Sequence, residues 1–225
     1  MEDKHRMTET NFQTVHEHWD REWSREEGRA GWLEPEDRVS DVLPLLRKRN
    51  VENVLDHGCG VGRHAIYLAE QGFNCWGMDA SETGLQYGRK AARSRGVDVE
   101  FMQASVASLP FSDEEFGYVV SWNVIHHGTL DDARESLAEI RRVMRSGGIL
   151  QGTFLSTRNA KFGRGRNIAP STYVIDAEEE KSHPHCYCNA RQMVTLLAGF
   201  DLLKLELFQQ EEPDSYHWHY IAEIT

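Results

Sequence analysis

The chain has 225 residues, of which 40% are hydrophobic and 27% charged, and its formal net charge is -11. This length corresponds to one or two domains, and this composition to an ordinary globular protein that buries a sizeable core. No apolar run approaches the roughly 20 residues of a membrane span, the four cysteines are too few for a disulfide scaffold, and the acidic balance argues against nucleic acid as the main partner. Residues 1–10 lack the apolar stretch of a secretory signal, so we expect a cytoplasmic protein.

Two helices are predicted before residue 50. The first presents one apolar stripe, because its apolar residues are spaced three, four and four apart: Phe12, Val15, Trp19 and Trp23. The second is expected over Glu36 to Arg49, with Pro35 at its start. We assign residues 1–35 to a helical cover at the N-terminus.

From residue 51 the pattern changes to short strands alternating with helices. The predicted strands are Asn53–Asp56, Asn74–Asp79, Val97–Gln103, Tyr118–Asn123 and Ile149–Leu155. The helices between them begin near Gly62, Ser81 and Asp131, and Gly147 and Gly148 are expected to end the last one. Strands separated by helices indicate a parallel sheet that is covered on both faces. Residues 36–155 are therefore predicted to form the ligand-binding core.

Residues 156–225 do not continue this alternation of strands and helices. Residues 156–188 show no clean periodicity, and an irregular segment of roughly 30 residues favours a functional lid or insertion. A helix from Asn189 to Leu197 and an antiparallel pair of strands, Leu202–Phe208 and His217–Ile224, then complete the same domain over residues 189–225. The predicted fold is α/β, a doubly wound and mostly parallel seven-stranded sheet with an antiparallel C-terminal strand.

The strongest motif lies at the turn after the first strand, where residues 54–62 read Val-Leu-Asp-His-Gly-Cys-Gly-Val-Gly. Glycines at such a turn let the backbone approach a ligand, and the following helix offers unpaired N–H groups. A dinucleotide site needs a glycine at the position that Arg63 occupies, which disfavours an NAD-dependent oxidoreductase. Asp56 would repel a pyrophosphate but suits a cationic ligand. A tight turn with no ligand is the alternative.

Five stretches together resemble the class I S-adenosylmethionine-dependent methyltransferases, in their order and spacing: Val54–Gly62, Gly77–Ser81, Leu109–Phe111, Tyr118–His127 and Arg142–Gly148. They span about residues 50–155. The resemblance implies the Rossmann-like methyltransferase fold, with S-adenosylmethionine as cofactor.

The resemblance also implies a set of cofactor-binding residues. The methionine part is expected at Asp56, Gly58, Cys59, Gly60 and Gly62, the ribose at Asp79 and Ala80, and the adenine at Ser105 or the Val106 backbone. Ser105 departs from the family, because many relatives carry an aspartate there. Asn123, at the carboxyl edge of the sheet, completes the set. A helix cap at Asp79 and a turn-forming Asn123 are the alternatives without a ligand.

The methyl acceptor is expected near the histidines that follow the fourth strand. His127 is the preferred general base, and packing under the lid is its alternative. Other candidates for the wall of the acceptor pocket are Trp19, Trp23, His126, His185 and His219. No bound metal is expected, since Cys186 and Cys188 are too close in sequence for a structural zinc site. The basic run Arg158–Arg166 either clamps an oxyanion or forms a solvated face.

These observations favour transfer of a methyl group to a small-molecule acceptor by in-line displacement, giving S-adenosylhomocysteine. Methylation of RNA or protein, or binding of the cofactor without turnover, are the alternatives. Cys186 and Cys188 near the lid raise the option of a sulfur, selenium or metalloid acceptor. A monomer or homodimer is expected, with no membrane partner.

Overall fold

The computed structural model describes residues 15–176, 182–210 and 212–225. Its main element is a seven-stranded sheet made of β1 (Asn53–His57), β2 (Asn74–Asp79), β3 (Val99–Gln103), β4 (Phe116–Ser121), β5 (Met144–Leu155), β9 (Phe200–Gln209) and β10 (Tyr216–Ile224). The order of the strands across the sheet is β3-β2-β1-β4-β5-β10-β9. Strands β1 to β5 pair in parallel, and β10 runs antiparallel to both β5 and β9. The predicted sheet is confirmed.

Helices cover both faces of this sheet. Residues 15–24 form α1, and the others are α2 (Glu26–Ala30), α3 (Asp37–Ser40), α4 (Leu43–Lys48), α5 (Arg63–Glu70), α6 (Glu82–Arg95), α7 (Leu130–Val143) and α8 (Ala190–Leu196). Phe12, which the predicted N-terminal stripe includes, lies outside the described residues. None of the helices in the described ranges combines the length and apolarity needed to span a bilayer.

Alternation along the central strands divides the core into two clusters. Leu55 and Val119 point to the face that α7 covers, whereas their neighbours Val54 and Val120 point to the face that α4 covers through Leu46. Central strands buried on both faces are the reason for the nearly continuous apolar runs in β1 and β4. The crossover between β1 and β4 creates a crevice at the carboxyl ends of the strands, which is where ligands bind in such sheets.

Three predicted boundaries are wrong. The single helix over Glu36–Arg49 is two short helices, because Pro44 has no N–H to continue a helix and sits instead in the first turn of α4. Gly147 and Gly148 do not end α7, since β5 already begins at Met144, which pairs with Phe116. The fourth strand ends at Ser121 rather than Asn123, whose φ of +57° is incompatible with a strand.

The segment predicted to be an irregular lid contains a second sheet. This three-stranded antiparallel sheet consists of β6 (Arg166–Ala169), β7 (Thr172–Val174) and β8 (His185–Cys186). Residues 177–181, within the same predicted lid, lie outside the described residues. Asn189 caps α8 as predicted, in a reciprocal pair of hydrogen bonds with Gln192.

Candidate cofactor and acceptor site

A cavity of about 630 Å³ lies at the carboxyl ends of the central strands, under α1. Its floor comes from the glycine-rich turn after β1 and from the segments after β2, β3 and β4, and its roof carries the side chains of Val15, His16, Trp19 and Trp23. The topology predicts a ligand site at this edge of the sheet, and α1 lies over it.

The turn after β1 depends on its glycines. Gly58, Gly60 and Gly62 have φ values of +71°, +54° and +82°, in the left-handed region that side chains rarely adopt. A Cβ on Gly60 would lie 2.8 Å from the indole of Trp23, so the turn and the cover approach each other as closely as a glycine allows. Cys59, between the glycines, also lines the cavity, and burial raises the pKa of its thiol.

Asp56 supports this turn from behind. Its carboxylate is buried and accepts a hydrogen bond of 3.0 Å from the backbone N–H of Ala65, in the first turn of α5. Burial raises the pKa of Asp56 to about 7, and the hydrogen bond from Ala65 and the charge of Arg63 oppose that shift. Asp56 and Gly62 are not among the residues of the cavity wall. Asp56 Oδ2 thus caps the first turn of α5, and the expected contact of Asp56 with a ligand stays a prediction.

Asp79 ends β2 in the cavity wall. Its Oδ2 accepts from the backbone N–H of Gly60 and its Oδ1 from that of Ser81, both at 2.8 Å. Burial raises the pKa of Asp79, whereas these N–H donors lower it. A carboxylate has about four acceptor sites, so the two oxygens can accept further donors from a ligand. The helix cap of α6 is made by Ser81, whose Oγ accepts from the N–H of Gly84.

The loop after β3 forms the next part of the wall, with Gln103, Ser105 and Val106. The buried imidazole of His57 fixes this loop: its Nε2 lies 3.0 Å from the carbonyl oxygen of Val106, which can only accept. The hydroxyl of Ser121 then donates to Nδ1 at 3.1 Å. Burial lowers the pKa of His57 to about 4, so it is neutral near pH 7.

The roof is held by an anchor and an aromatic cluster. Asp20 accepts 2.7 Å and 3.4 Å hydrogen bonds from Ser81 Oγ and the N–H of Thr83, which ties α1 to the start of α6. Burial would raise the pKa of Asp20, but these hydrogen bonds outweigh it and the pKa is lowered. The indoles of Trp19 and Trp23 stack with centroids 4.9 Å apart, and Trp32 meets both edge-on.

Asn123 and His127, which follow β4 in the chain, form the wall opposite β2. The left-handed backbone of Asn123 is held by Thr153, whose Oγ1 accepts from its N–H and donates to its Oδ1, both at 2.8 Å. The carbonyl oxygen of Asn123 lies 3.0 Å from His127 Nε2, and His127 Nδ1 lies 2.9 Å from His183 Nε2. Strained backbone beside a cavity is typical of functional sites.

This chain is similar to known proteins in sequence and in fold. A family model described as a methyltransferase domain matches residues 54–148. The malonyl-[acyl-carrier protein] O-methyltransferase of Salmonella typhimurium is 33% identical over 114 residues, which are 51% of this chain and 43% of that protein. A SAM-dependent methyltransferase structure from Methanosarcina mazei has a TM-score of 0.70 at 19% identity and covers 80% of this chain and 97% of its own. Residues 54–148 of this chain are a methyltransferase domain, and the fold is that of the S-adenosylmethionine-dependent methyltransferases.

A second similar structure was solved with ligands bound. The 1,6-didemethyltoxoflavin-N1-methyltransferase of Burkholderia thailandensis has a TM-score of 0.67 at 22% identity, covers 84% of this chain and 77% of its own, and was solved with S-adenosylhomocysteine and 1,6-didemethyltoxoflavin bound. This chain spans 43%, 42% and 39% of the length of the first three curated relatives that it matches. The predicted family, fold and cofactor are confirmed.

The donor set of the methyltransferase fits that cofactor. Asp79 offers carboxylate oxygens to a ribose, and the wall adds indole faces, which attract cations. The predicted residues that share the cavity are Gly58, Cys59, Gly60, Asp79, Ala80, Ser105, Val106, Asn123, His127, Trp19 and Trp23. Sequence reasoning missed His16, His64 and Trp122 in the wall and His57 behind it, because isolated histidines and tryptophans carry no motif.

Three predicted acceptor residues do not line the cavity. His126 and His185 lie one layer behind His127, with ring centroids 4.5 Å and 4.6 Å from it. His219 packs behind Trp122, and its Nε2 is 2.9 Å from Gln151 Nε2. Burial and the charges of Lys204 and Arg38 lower the pKa of His219 to about 4. Side chains along β10 alternate between the two faces of the sheet, and this alternation points His219 to the core behind Trp122 and not into the cavity.

The two cysteines and the basic run that were considered for the acceptor lie outside the cavity wall. Cys186 and Cys188 are in the core rather than the cavity wall, and burial raises the pKa of the Cys188 thiol to about 12. This environment does not favour thiolate chemistry with a metalloid. Arg158, Arg164 and Arg166 are exposed and do not line the cavity, as expected for a solvated face.

Proposed function

We propose that this chain transfers the methyl group of S-adenosylmethionine to a small-molecule acceptor, leaving S-adenosylhomocysteine. The observation that carries the proposal is the roofed cavity: α1 lies over the cofactor wall, so the acceptor space is a partly covered cavity of about 630 Å³ and not a flat surface. The Burkholderia thailandensis structure, which holds a small molecule beside the demethylated cofactor, supports the same class of acceptor.

The cofactor occupies one end of the cavity and the acceptor the other. Asp79 accepts the ribose hydroxyls, the loop at Ser105 and Val106 faces the adenine, and the turn at Gly58 and Gly60 carries the methionine part. The acceptor then occupies the end formed by Trp19, Asn123 and His127. This placement follows from the order of the strands, since the segment after β4 faces the turn after β1 across the crevice.

The chemistry is a displacement at carbon. The cofactor supplies an electrophilic methyl group on a sulfonium. The acceptor's nucleophilic atom bonds to that carbon as the carbon–sulfur bond breaks, and the electron pair stays on sulfur. Orientation of the reactants and exclusion of water by the indole roof supply several kcal/mol toward the barrier.

The predicted role of His127 as general base meets a constraint. Its Nε2 donates to the carbonyl oxygen of Asn123, so only Nδ1 can receive a proton, and Nδ1 faces His183 Nε2 at 2.9 Å. A proton taken from the acceptor would have to enter this imidazole pair. The base role stays a prediction, and His127→Ala tests it: turnover should fall far more than cofactor affinity.

The function is tested by a transfer assay with cofactor labelled on its methyl group. The acceptors offered are phenols, thiols, amines, carboxylates, an acyl carrier protein and RNA. Label on one small-molecule class, lost in Asp79→Ala, supports the proposal. Label on the carrier protein or RNA alone would replace the acceptor class, and cofactor binding with no transfer to any acceptor would favour a non-catalytic binding protein. The exclusion of nucleic acid and the monomeric or dimeric state stay predictions.

A further inference from the structure

Three buried histidines from two distant parts of the chain converge beside the acceptor end of the cavity. One ligand nitrogen from each of His127, His183 and His185 lies within 4.8 Å of the other two. Their rings are close-packed, with centroids 4.4 to 5.1 Å apart. Within the described ranges, this group of ligand-type side chains contains imidazoles and no carboxylate.

The backbone holds these residues in place. The N–H of Gly128 donates to the carbonyl oxygen of Pro184 at 2.8 Å, and the N–H of Cys186 donates to that of His126 at 2.9 Å. This antiparallel bridge sets His127 directly opposite His185. Pro184 restricts its own φ and the backbone of His183 before it, so the His-Pro-His segment is stiff.

Hydrogen bonds orient two of the three imidazoles as they are oriented in metal sites. His127 Nε2 donates to the carbonyl oxygen of Asn123 at 3.0 Å, which places its lone pair on Nδ1. His185 Nδ1 donates to the carbonyl oxygen of His183 at 2.9 Å, which places its lone pair on Nε2. Histidines that bind metals almost always donate their second N–H to a carbonyl or carboxylate, because this fixes the tautomer.

We infer that His127, His183 and His185 bind a divalent transition metal ion, with Zn²⁺ the best match. Three neutral nitrogen ligands select zinc, copper, nickel or iron over magnesium and calcium. A tetrahedral zinc ion with bonds of 2.0–2.1 Å needs its nitrogens about 3.3 Å apart. Zn²⁺ would therefore replace the 2.9 Å hydrogen bond between His127 Nδ1 and His183 Nε2 and draw together nitrogens that lie within 4.8 Å of one another. The cysteine spacing that argued against a metal does not bear on this set.

The position of the site indicates its use, and this step rests on the proposed function. His127 belongs to the cavity wall, whereas His183 and His185 lie behind it. Three protein ligands leave a fourth position open, which is the arrangement of catalytic rather than structural zinc sites. A hydroxyl or thiol of the acceptor bound there loses its proton to solvent more readily, and its anion is the stronger nucleophile. His127 then acts as a ligand and not as a base.

The test is metal binding by the full chain, expressed without a polyhistidine tag and stripped with a chelator. Co²⁺ and Zn²⁺ are titrated separately, with calorimetry for both and visible absorption for Co²⁺. We expect one ion per chain and the intense ligand-field bands of a four-coordinate Co²⁺ site. His183→Gln and His185→Gln should weaken affinity by at least about 100-fold, more than the loss of a residue that only orients a ligand. His217→Gln, which changes a buried histidine outside the group, should bind as the wild type does.

Wild-type protein alone also decides the matter if a variant fails to fold. Long-range ¹H–¹⁵N spectra of the imidazoles should show His127 with its proton on Nε2 and His185 with its proton on Nδ1, and Zn²⁺ should shift the other nitrogen of each. Absence of saturable binding at one ion per chain, or binding that His183→Gln leaves intact, would overturn the site. Because metal and cofactor binding are measured separately, failure of the ion site leaves the proposed methyl transfer standing.

Discussion

The imidazole of His57 joins the first strand to the loop at Ser105 and Val106 in the cavity wall, through its 3.0 Å hydrogen bond to the carbonyl oxygen of Val106. A side chain in the middle of the glycine-rich motif thus does not touch the cavity and instead sets the position of a wall 49 residues away. His57 is a positioning residue.

Replacing His57 with Leu should leave the Val106 carbonyl and the Ser121 hydroxyl without their partner in a buried position. The free energy of unfolding should fall by about 1–3 kcal/mol, and cofactor affinity should weaken. Chemical denaturation and calorimetry measure the two effects. Ser121→Ala removes only the hydroxyl and should cost less affinity, and equal affinities for the two variants would contradict the positioning role.

The pKa of His57 also gives a signed pH dependence. Its folded pKa of about 4 lies below the ordinary histidine value of 6.5, so the unfolded chain binds the proton more tightly between these values. The stability contribution is complete above pH 6.5 and is lost as the pH falls toward 4. Between pH 7.5 and pH 5, wild type should lose about 2 kcal/mol more than His57→Gln, which has no titrating group there. Parallel pH profiles for the two proteins would be inconsistent with a buried neutral imidazole.

Asp79→Ala should weaken S-adenosylmethionine binding by about tenfold or more. The ribose would lose charge-assisted hydrogen bonds worth about 1.5–3 kcal/mol, and Gly60 would lose its 2.8 Å acceptor. Calorimetry measures the affinity, with Asp98→Ala as an exposed aspartate control. An unchanged affinity in Asp79→Ala would remove the ribose role.

Gly60→Ala should reduce cofactor affinity as well as stability. A residue other than glycine in left-handed backbone costs about 1–2 kcal/mol, and here the new Cβ would also displace the Trp23 indole 2.8 Å away. Gly72→Ala is the matched control, because Gly72 has a φ of +89° with open space around the added carbon. It should lower the melting temperature and leave affinity unchanged; a loss of affinity in both variants would mean that Gly60 matters only through stability.

Asp20→Ala should loosen the roof without altering the floor. The hydrogen bonds from Ser81 and Thr83 would be lost, so amides of residues 15–24 should exchange faster and the cofactor should dissociate faster. Hydrogen exchange by mass spectrometry and stopped-flow tryptophan fluorescence report these effects. Arg21→Ala changes an exposed neighbour on the same helix and should behave as wild type. Identical exchange in the two variants would show that Asp20 does not anchor the cover.

The sequence predicted those parts of the site that depend on residues close together in the chain. The glycines after β1, the acid that ends β2 and the cap at Ser81 each depend on a few neighbouring residues, and all three were predicted where the structure has them. Asp56 was predicted in the right place, but its hydrogen bond from the N–H of Ala65 was not, since a sequence does not say whether a carboxylate faces a ligand or a helix N-terminus.

Contacts across long stretches of chain could not be predicted. The pairing of residues 126–128 with residues 184–186 brings His127 to His183, and nothing in either segment alone indicates the other. The bond between Asp20 and Ser81 is of the same kind. The break between α3 and α4 differs, because Pro44 lies within the predicted helix and proline interrupts a helix interior.

The most direct measurement is calorimetric titration of the full chain with S-adenosylmethionine, and in parallel with NAD⁺, before and after the Asp79→Ala change. The account predicts one molecule of S-adenosylmethionine per chain, an affinity that depends on Asp79, and no heat of binding from the dinucleotide. Saturable uptake of NAD⁺ together with indifference to S-adenosylmethionine would contradict it.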